Sequence, residues 1–181
     1  VHKKIAGTPL AKKMDTLTEN EIKNVGDDIA KFMHELHNVK FEENEVFKTT
    51  NIGLKLPDFL NELLTLHVSE EDRKFWNMEE IDDKCPNLVD GDLNPSNVLL
   101  DENNKVTAII DFGFGGFGDK YDDISRIVGR CPSKFKDSIV KSYENYSKAE
   151  INKNILEDKI EKWNKIDKGY INYMRSIGIY E

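Results

Sequence analysis

A chain of 181 residues is one domain long, enough to bury a sizeable core. Its net charge of −8 argues against a nucleic-acid partner, whose phosphates demand basic patches, and is compatible with a cationic ligand, which acidic walls concentrate. No run nears the roughly 20 apolar residues of a spanning helix, no signal-peptide pattern opens the sequence, and Cys85 and Cys131 lack C-x-x-C spacing, so we expect no membrane, disulfide scaffold or zinc, but free thiols in a cytoplasmic protein.

Along the chain, Thr18-Glu19-Asn20-Glu21 reads as a capping box, with Thr18 as N-cap and Glu21 at N3. Ile22, Val25, Ile29, Phe32 or Met33, and Leu36 then recur at three- and four-residue spacing, which predicts a core helix within 18–40. His34 and His37 fall at its C-terminal end, where positive charge suits the dipole. Residues 41–56 read as a loop, Pro57 opens a helix carrying Phe59, Leu60, Leu63 and Leu64, and Glu70 to Trp76 is a polar connection. Val98-Leu99-Leu100, the polar turn Asp101-Glu102-Asn103-Asn104 and the run Val106 to Ile110 predict a β-hairpin. A helix starts near Tyr121–Asp123, and Arg130-Cys131-Pro132 breaks the chain before another from about Ser133 to Tyr146. A last helix runs from about Ile151 to Ile171, with Ile155, Ile160, Trp163, Ile166, Tyr170 and Met174 for packing. Lys153, Lys159, Lys162 and Lys165 read as its solvated face. There are no repeats. The expected class is α+β, mainly helical, with one small hairpin.

The hairpin carries the chemistry. Phosphoryl transfer needs a carboxylate beside the attacking hydroxyl and oxygen ligands for magnesium, supplied in kinases by an Asp, an Asn five residues on, and the Asp of a D-F-G. Here Asp92 and Asn97 stand at that spacing, and Asp111 heads Asp111-Phe112-Gly113. Asp92 is the expected catalytic residue, orienting the acceptor hydroxyl and taking its proton late. Asn97 and Asp111 are the expected Mg²⁺ ligands, both hard oxygen donors. The hairpin would deliver Asp111 to the same end as Asn97. The glycines of Phe112 to Gly118 follow the metal Asp instead of opening a helix after a strand. They read as a tight, adaptable loop, not a Rossmann or P-loop cradle.

Asp90-Gly91-Asp92-Leu93-Asn94-Pro95-Ser96-Asn97-Val98-Leu99 resembles the H-G-D-L-x-x-x-N-h-L motif of the aminoglycoside phosphotransferase and choline kinase superfamily. Ile110-Asp111-Phe112-Gly113 with Gly118-Asp119-Lys120-Tyr121-Asp122-Asp123-Ile124 resembles its I-D-[FW]-G…G-D-x-x-x-D-[LI] run. Ile5 to Leu10 is similar to its stretch after the interlobe hinge, and Glu35-Leu36-His37 to its L-x-x-L-H helix. Met174 to Ile179 resembles the end of the aminoglycoside 2''-phosphotransferase branch. The resemblance implies the C-terminal lobe of a protein-kinase-like fold over 1–181: a post-hinge segment at 1–12, the core helix at 18–40, catalytic and metal-binding loops at 88–124, and C-terminal helices at 133–181. It implies that His37 packs under the catalytic loop and that Asp123 holds that loop structurally.

Two departures stand out. Asp90 replaces the family's His, which either alters loop anchoring or perturbs Asp92 as a second nearby carboxylate. No Gly-rich loop or strand Lys precedes Val1, so we expect a C-lobe whose cofactor-binding residues in an N-terminal lobe lie outside this sequence and are unknown, with weak nucleotide binding in their absence.

The implied activity is transfer of the γ-phosphate of ATP or GTP, with Mg²⁺, to a hydroxyl of a small cationic substrate, foremost an aminoglycoside. Choline or ethanolamine, homoserine and sugar acceptors remain alternatives, as does a non-catalytic binding module reusing the lobe. Gly91 in place of Arg and the lack of an Ala-Pro-Glu signature after Asp111 count against a protein kinase. In resembling enzymes the acceptor site is lined by acids on the C-terminal helices. The candidates are Asp137, Glu144, Glu157 and Glu161, with Trp163 or Tyr170 as a stacking wall.

Overall fold

The computed structural model describes residues 5–40 and 87–179. The expectations for the loop at 41–56, the Pro57 helix, the segment Glu70 to Trp76, and Cys85 lie outside those residues.

Helix α1 spans Glu19–His37, and its start follows from side-chain chemistry. The Thr18 hydroxyl accepts the Glu21 N–H at 3.4 Å while Glu21 Oε2 accepts the Thr18 N–H at 2.8 Å, satisfying two N–H groups that the helix leaves orphaned. The other Glu21 oxygen takes the Asn104 amide at 2.6 Å, tying the helix start to a distant turn. Hydrogen bonds from Thr18 and then Asn104 hold the Glu21 carboxyl down at about 2. The buried stripe is Val25, Ile29, Met33 and His37. Phe32 lies off that stripe, its ring edge-on to Phe112 at 6.0 Å.

Strands β1 (Thr8–Pro9), β2 (Asn87–Val89), β3 (Val98–Leu100), β4 (Val106–Ile109) and β5 (Gly116–Gly118) make two antiparallel sheets. One has the order β1-β3-β4 and the other pairs β2 with β5. The expected hairpin is β3–β4, in register Val98↔Ile109 and Leu99↔Ala108. Its turn is organised by Asp101 Oδ1, which accepts the N–H groups of Asn103 at 2.8 Å and Lys105 at 2.9 Å. Asn104 sits at φ 59°, a conformation asparagine tolerates. Lys13 Nζ clamps the turn from outside, donating to Asp101 O at 3.0 Å and Asn104 Oδ1 at 2.6 Å. The glycine-rich segment corrects the reading: Gly116–Gly118 is not loop but a strand, paired with β2.

Besides a 3-10 turn at Leu10–Lys12, the described residues hold three further α-helices: α2 (Lys120–Gly129), α3 (Ser133–Ser147) and α4 (Lys153–Ser176). Asp119 caps α2 by accepting the Tyr121 N–H at 2.9 Å, and Asn152 caps α4 through the Asn154 N–H at 3.0 Å. Phe135, Ile139 and Tyr143 of α3 join the α1 stripe, and Ile124, Ile127 and Val128 of α2 close one core with Leu93, Val98 and Leu100. In α4 the buried positions are Leu156, Trp163, Ile166 and Gly169, whereas Ile155 and Tyr170 are exposed. The expected face holds at its centre, where Trp163 and Ile166 are buried and Ile160 packs against the core, and departs from the expectation at Ile155 and Tyr170. None of the described helices is long and apolar enough to cross a membrane.

Gly26 is where α1 and α3 touch. A Cβ there would lie 2.5 Å from Ser138 Oγ and 3.0 Å from Ser138 Cβ. Gly26→Leu should overpack this crossing and destabilise the fold by about 1–3 kcal/mol, seen as a lower urea midpoint with unchanged slope. A midpoint equal to that of the parent would contradict the contact.

Candidate active site

The loop from Asp90 to Asn97 hangs on one buried carboxylate. Asp123, in the first turn of α2, accepts the Asp90 N–H at 2.8 Å through Oδ2 and the Gly91 N–H at 2.9 Å through Oδ1. His37 Nε2 donates to the same Oδ2 at 3.2 Å, and His37 Nδ1 lies 2.8 Å from the Tyr143 hydroxyl. His37 thus sits beneath the loop and Asp123 holds the loop's backbone. Both positions agree with the resemblance.

Gly91 follows from this arrangement. It adopts φ +79°, and a Cβ would fall 2.2 Å from the carbonyl oxygen of Phe114. No other residue fits a left-handed turn against passing backbone. The turn aims the next side chain, Asp92, outward, where it is half-buried. Asn94 Nδ2 donates to the Asp92 carbonyl at 2.8 Å, and Ala11 N–H donates to the Pro95 carbonyl at 2.9 Å, which pins the far side of the loop.

Asn97 closes it. Its Nδ2 donates to the Asp92 carbonyl at 3.1 Å and reaches Asp92 Oδ2 at 3.4 Å. Ile110 N–H donates to the Asn97 carbonyl at 3.0 Å, so the hairpin register sets Asp111 beside Asn97 at one end of β3–β4. Asp111 is exposed and stands at φ 69°, a turn that Asp accepts better than most residues. Among the described residues it makes no hydrogen bond to Asp92 or Asn97, and no three His, Cys, Asp or Glu side chains gather as a metal cluster. Asp92 and Asn97 are in contact; Asp111 joins them through the backbone pairing. Phe112 and Phe114, on the loop that follows, are exposed at 47% and 39%.

Asp90 is fully buried. One oxygen accepts the Asp92 N–H at 3.0 Å, and Oδ2 has no partner among the described residues. Burial first, and the neighbouring Asp123 carboxylate second, push its proton affinity up to about 7.

Sequence reasoning missed Arg126. Its Nη2 donates to Asp92 Oδ1, forming an ion pair with the candidate catalytic residue. The guanidinium lies 4.0 Å from the Trp163 ring centroid. The one trace in the sequence is the three-residue step from Asp123, which places both on one face of α2. Trp163 is only 4% exposed, its face taken by Arg126 and its Nε1 donating to Asp122 Oδ1 at 3.3 Å. It is a packing residue, not an open stacking wall. Lys159 is corrected likewise: it pairs with Asp119 at 3.3 Å and Asp122 at 3.2 Å instead of facing solvent. Arg130 chelates Asp167 through Nε at 2.9 Å and Nη2 at 2.6 Å.

The expected acceptor acids are mostly engaged elsewhere. Glu144 accepts the Ile151 N–H at 2.8 Å, Glu157 bonds Lys136, and Glu161 pairs with Lys165 at 3.0 Å. Asp137 lines a shallow groove between α1 and α3 with Glu19, Lys23 and Lys134, a groove that includes none of Asp92, Asn97 and Asp111.

The chain is similar to known proteins in sequence pattern and fold. A family profile described as the phosphotransferase enzyme family matches residues 1–152. An aminoglycoside 3'-phosphotransferase of type VIII superposes with a TM-score of 0.65 at 16% identity, covering 92% of this chain and 67% of its own. A 2''-phosphotransferase, APH(2'')-IIIa bound to GDP and kanamycin, gives 0.63 at 19% identity over 97% of this chain and 64% of its own. A macrolide 2'-phosphotransferase from Brachybacterium faecium gives 0.57 at 19% identity over 97% and 63%. The chain thus spans about two thirds of the length of the structures it matches, and the shared architecture is the kinase-like fold.

Asp90 supplies a pH test. Its carboxyl holds a proton up to about pH 7 when folded, against about 4 in an unfolded chain. Between those values the folded state binds more protons, so stability falls as pH rises. The contribution is complete below about pH 4 and lost above about pH 7, with a ceiling of about 4 kcal/mol. Urea unfolding of Asp90→Asn should lack this decline, so the variant gains on the parent between pH 5 and pH 8. Parallel stability curves for the two proteins would rule the assignment out.

Proposed function

Since the chain belongs to the phosphotransferase enzyme family, we propose that it carries the catalytic loop and metal-binding residues of an enzyme that moves the γ-phosphate of ATP or GTP to a hydroxyl of a small cationic substrate, an aminoglycoside. One observation carries the reading: the Gly91 turn, anchored by Asp123, projects Asp92 beside Asn97 while the β3–β4 register brings Asp111 to the same end.

In this reading Asp92 orients the acceptor hydroxyl and receives its proton late, because a loose transition state gains more from positioning than from deprotonation. Asn97 points its amide nitrogen at Asp92, which leaves its oxygen for a cation. Asp111 offers an exposed carboxylate at the same hairpin end. An amide oxygen and a carboxylate fit Mg²⁺, which keeps waters and phosphate oxygens for its other positions. When bound, magnesium neutralises charge developing on the phosphates. The net charge of −8 favours a cationic acceptor, and the kanamycin and GDP named for one matched structure support an aminoglycoside acceptor and a purine nucleotide donor. The macrolide enzyme matched over 97% of this chain makes a macrolide the second reading. The reaction belongs in the cytoplasm, where ATP and GTP are supplied.

The full-length protein should transfer labelled phosphate from ATP or GTP to kanamycin only with Mg²⁺. Asp92→Asn should lower kcat by about 10²–10⁴-fold with little change in nucleotide KM. Undiminished turnover by Asp92→Asn would remove Asp92 from the chemistry.

A further inference from the structure

Arg126 stands in a position that stability does not explain. Its side chain is 11% exposed, its Nη2 is committed to Asp92 Oδ1, and its Nε is buried without a partner among the described residues. A buried ion pair is seldom worth more than well-packed apolar residues, and an orphaned donor makes this one costlier. What the arrangement achieves is orientation. An aspartate on a loop has two free torsions, and a guanidinium fixed in space selects one setting of both.

We propose that Arg126 is a positioning residue for Asp92, itself held by Trp163, so that the seating of α4 on α2 sets which carboxylate oxygen meets the acceptor. This rests on the phosphotransferase reading above. Arg126 takes Oδ1. Among the described residues Oδ2 has the long 3.4 Å approach of Asn97, which makes it the oxygen for the incoming hydroxyl. Trp163 does two things for this pair. Its ring supports the guanidinium face at 4.0 Å, a cation–π contact that strengthens when desolvated. Its Nε1 is fixed on Asp122 at 3.3 Å, where Lys159 also donates at 3.2 Å. One helical turn on, the Arg130–Asp167 chelate fixes the same two helices. Guanidinium is required because a lysine ammonium cannot both stack flat and donate sideways.

Two measurements test this on the full chain. The first compares phosphate transfer to alcohol with hydrolysis by water, in Arg126→Met, Arg126→Lys, Trp163→Phe and Trp163→Leu. Arg126→Met should lose about 10–100-fold in transfer kcat with nucleotide KM within about twofold, and its ratio of transfer to hydrolysis should fall. A merely structural lesion would lower both rates together. Arg126→Lys should be intermediate, and Trp163→Phe, which keeps an aromatic face, should retain what Trp163→Leu loses. An Arg126→Met enzyme with the parental ratio, or equal rates in the two Trp163 variants, would overturn the proposal. The second measurement does not depend on activity. The Trp163 indole N–H resonance, assigned by its loss in Trp163→Phe, should shift in Asp92→Ala, or in Asp92→Asn should the alanine variant not fold. An unmoved resonance would break the link between Asp92 and α4 whatever the enzyme turns over. A moved resonance in a protein that transfers phosphate to nothing would keep the link and discard the phosphotransferase reading.

Discussion

The site depends on one buried carboxylate. Asp123 gives up all its water, a cost that a carboxylate recovers only through strong, well-aimed donors. It finds three: the N–H groups of Asp90 and Gly91 and the imidazole of His37. These donors come from different parts of the chain. One carboxylate at the start of α2, where the helix dipole favours it, therefore ties the Asp90–Asn97 loop to α1 and, through His37 and Tyr143, to α3. The left-handed turn at Gly91 and the outward aim of Asp92 are consequences of that anchoring.

Two further devices finish the geometry, and they differ in kind. The β3–β4 hairpin is a backbone device: once Val98 pairs with Ile109, Asn97 and Asp111 must leave the sheet at the same end. The α2–α4 contact is a side-chain device. Lys159 and Trp163 meet Asp122, Arg126 stacks on Trp163, and Arg130 chelates Asp167. The backbone device fixes where Asn97 and Asp111 stand; the side-chain device reaches Asp92 through Arg126.

What the sequence made legible follows from range. The capping box at Thr18, the three-and-four spacing of α1 and the hairpin between Val98 and Ile109 are local patterns, and local physics fixes them. The five-residue step from Asp92 to Asn97 is legible because its loop closes on itself. Strand β5 was not, because the two glycines of Gly116-Phe117-Gly118 disfavour a strand that is held by pairing with distant β2. In α4, Ile155 and Leu156 are adjacent apolar residues that fit two packing faces, and only the docking on α2 chooses Leu156. Lys159 looked solvated since its partner Asp122 is 37 residues away. Arg126 and Asp92 are 34 apart on unrelated elements; no periodicity encodes such a pair.

Asp90 shows how a departure from the family pattern is absorbed. The resembling motif has His there, a side chain that can be buried neutral. An aspartate in the same place faces Asp123 across the loop backbone, with one of its own oxygens unpartnered. Ionised, it would put two carboxylates side by side, and among the described residues no cation bonds to its free oxygen. Protonated, it is a neutral buried group that still accepts the Asp92 N–H at 3.0 Å. Burial first, and the Asp123 carboxylate after it, raise its proton affinity to about 7, which favours this neutral form beneath the turn that carries Asp92.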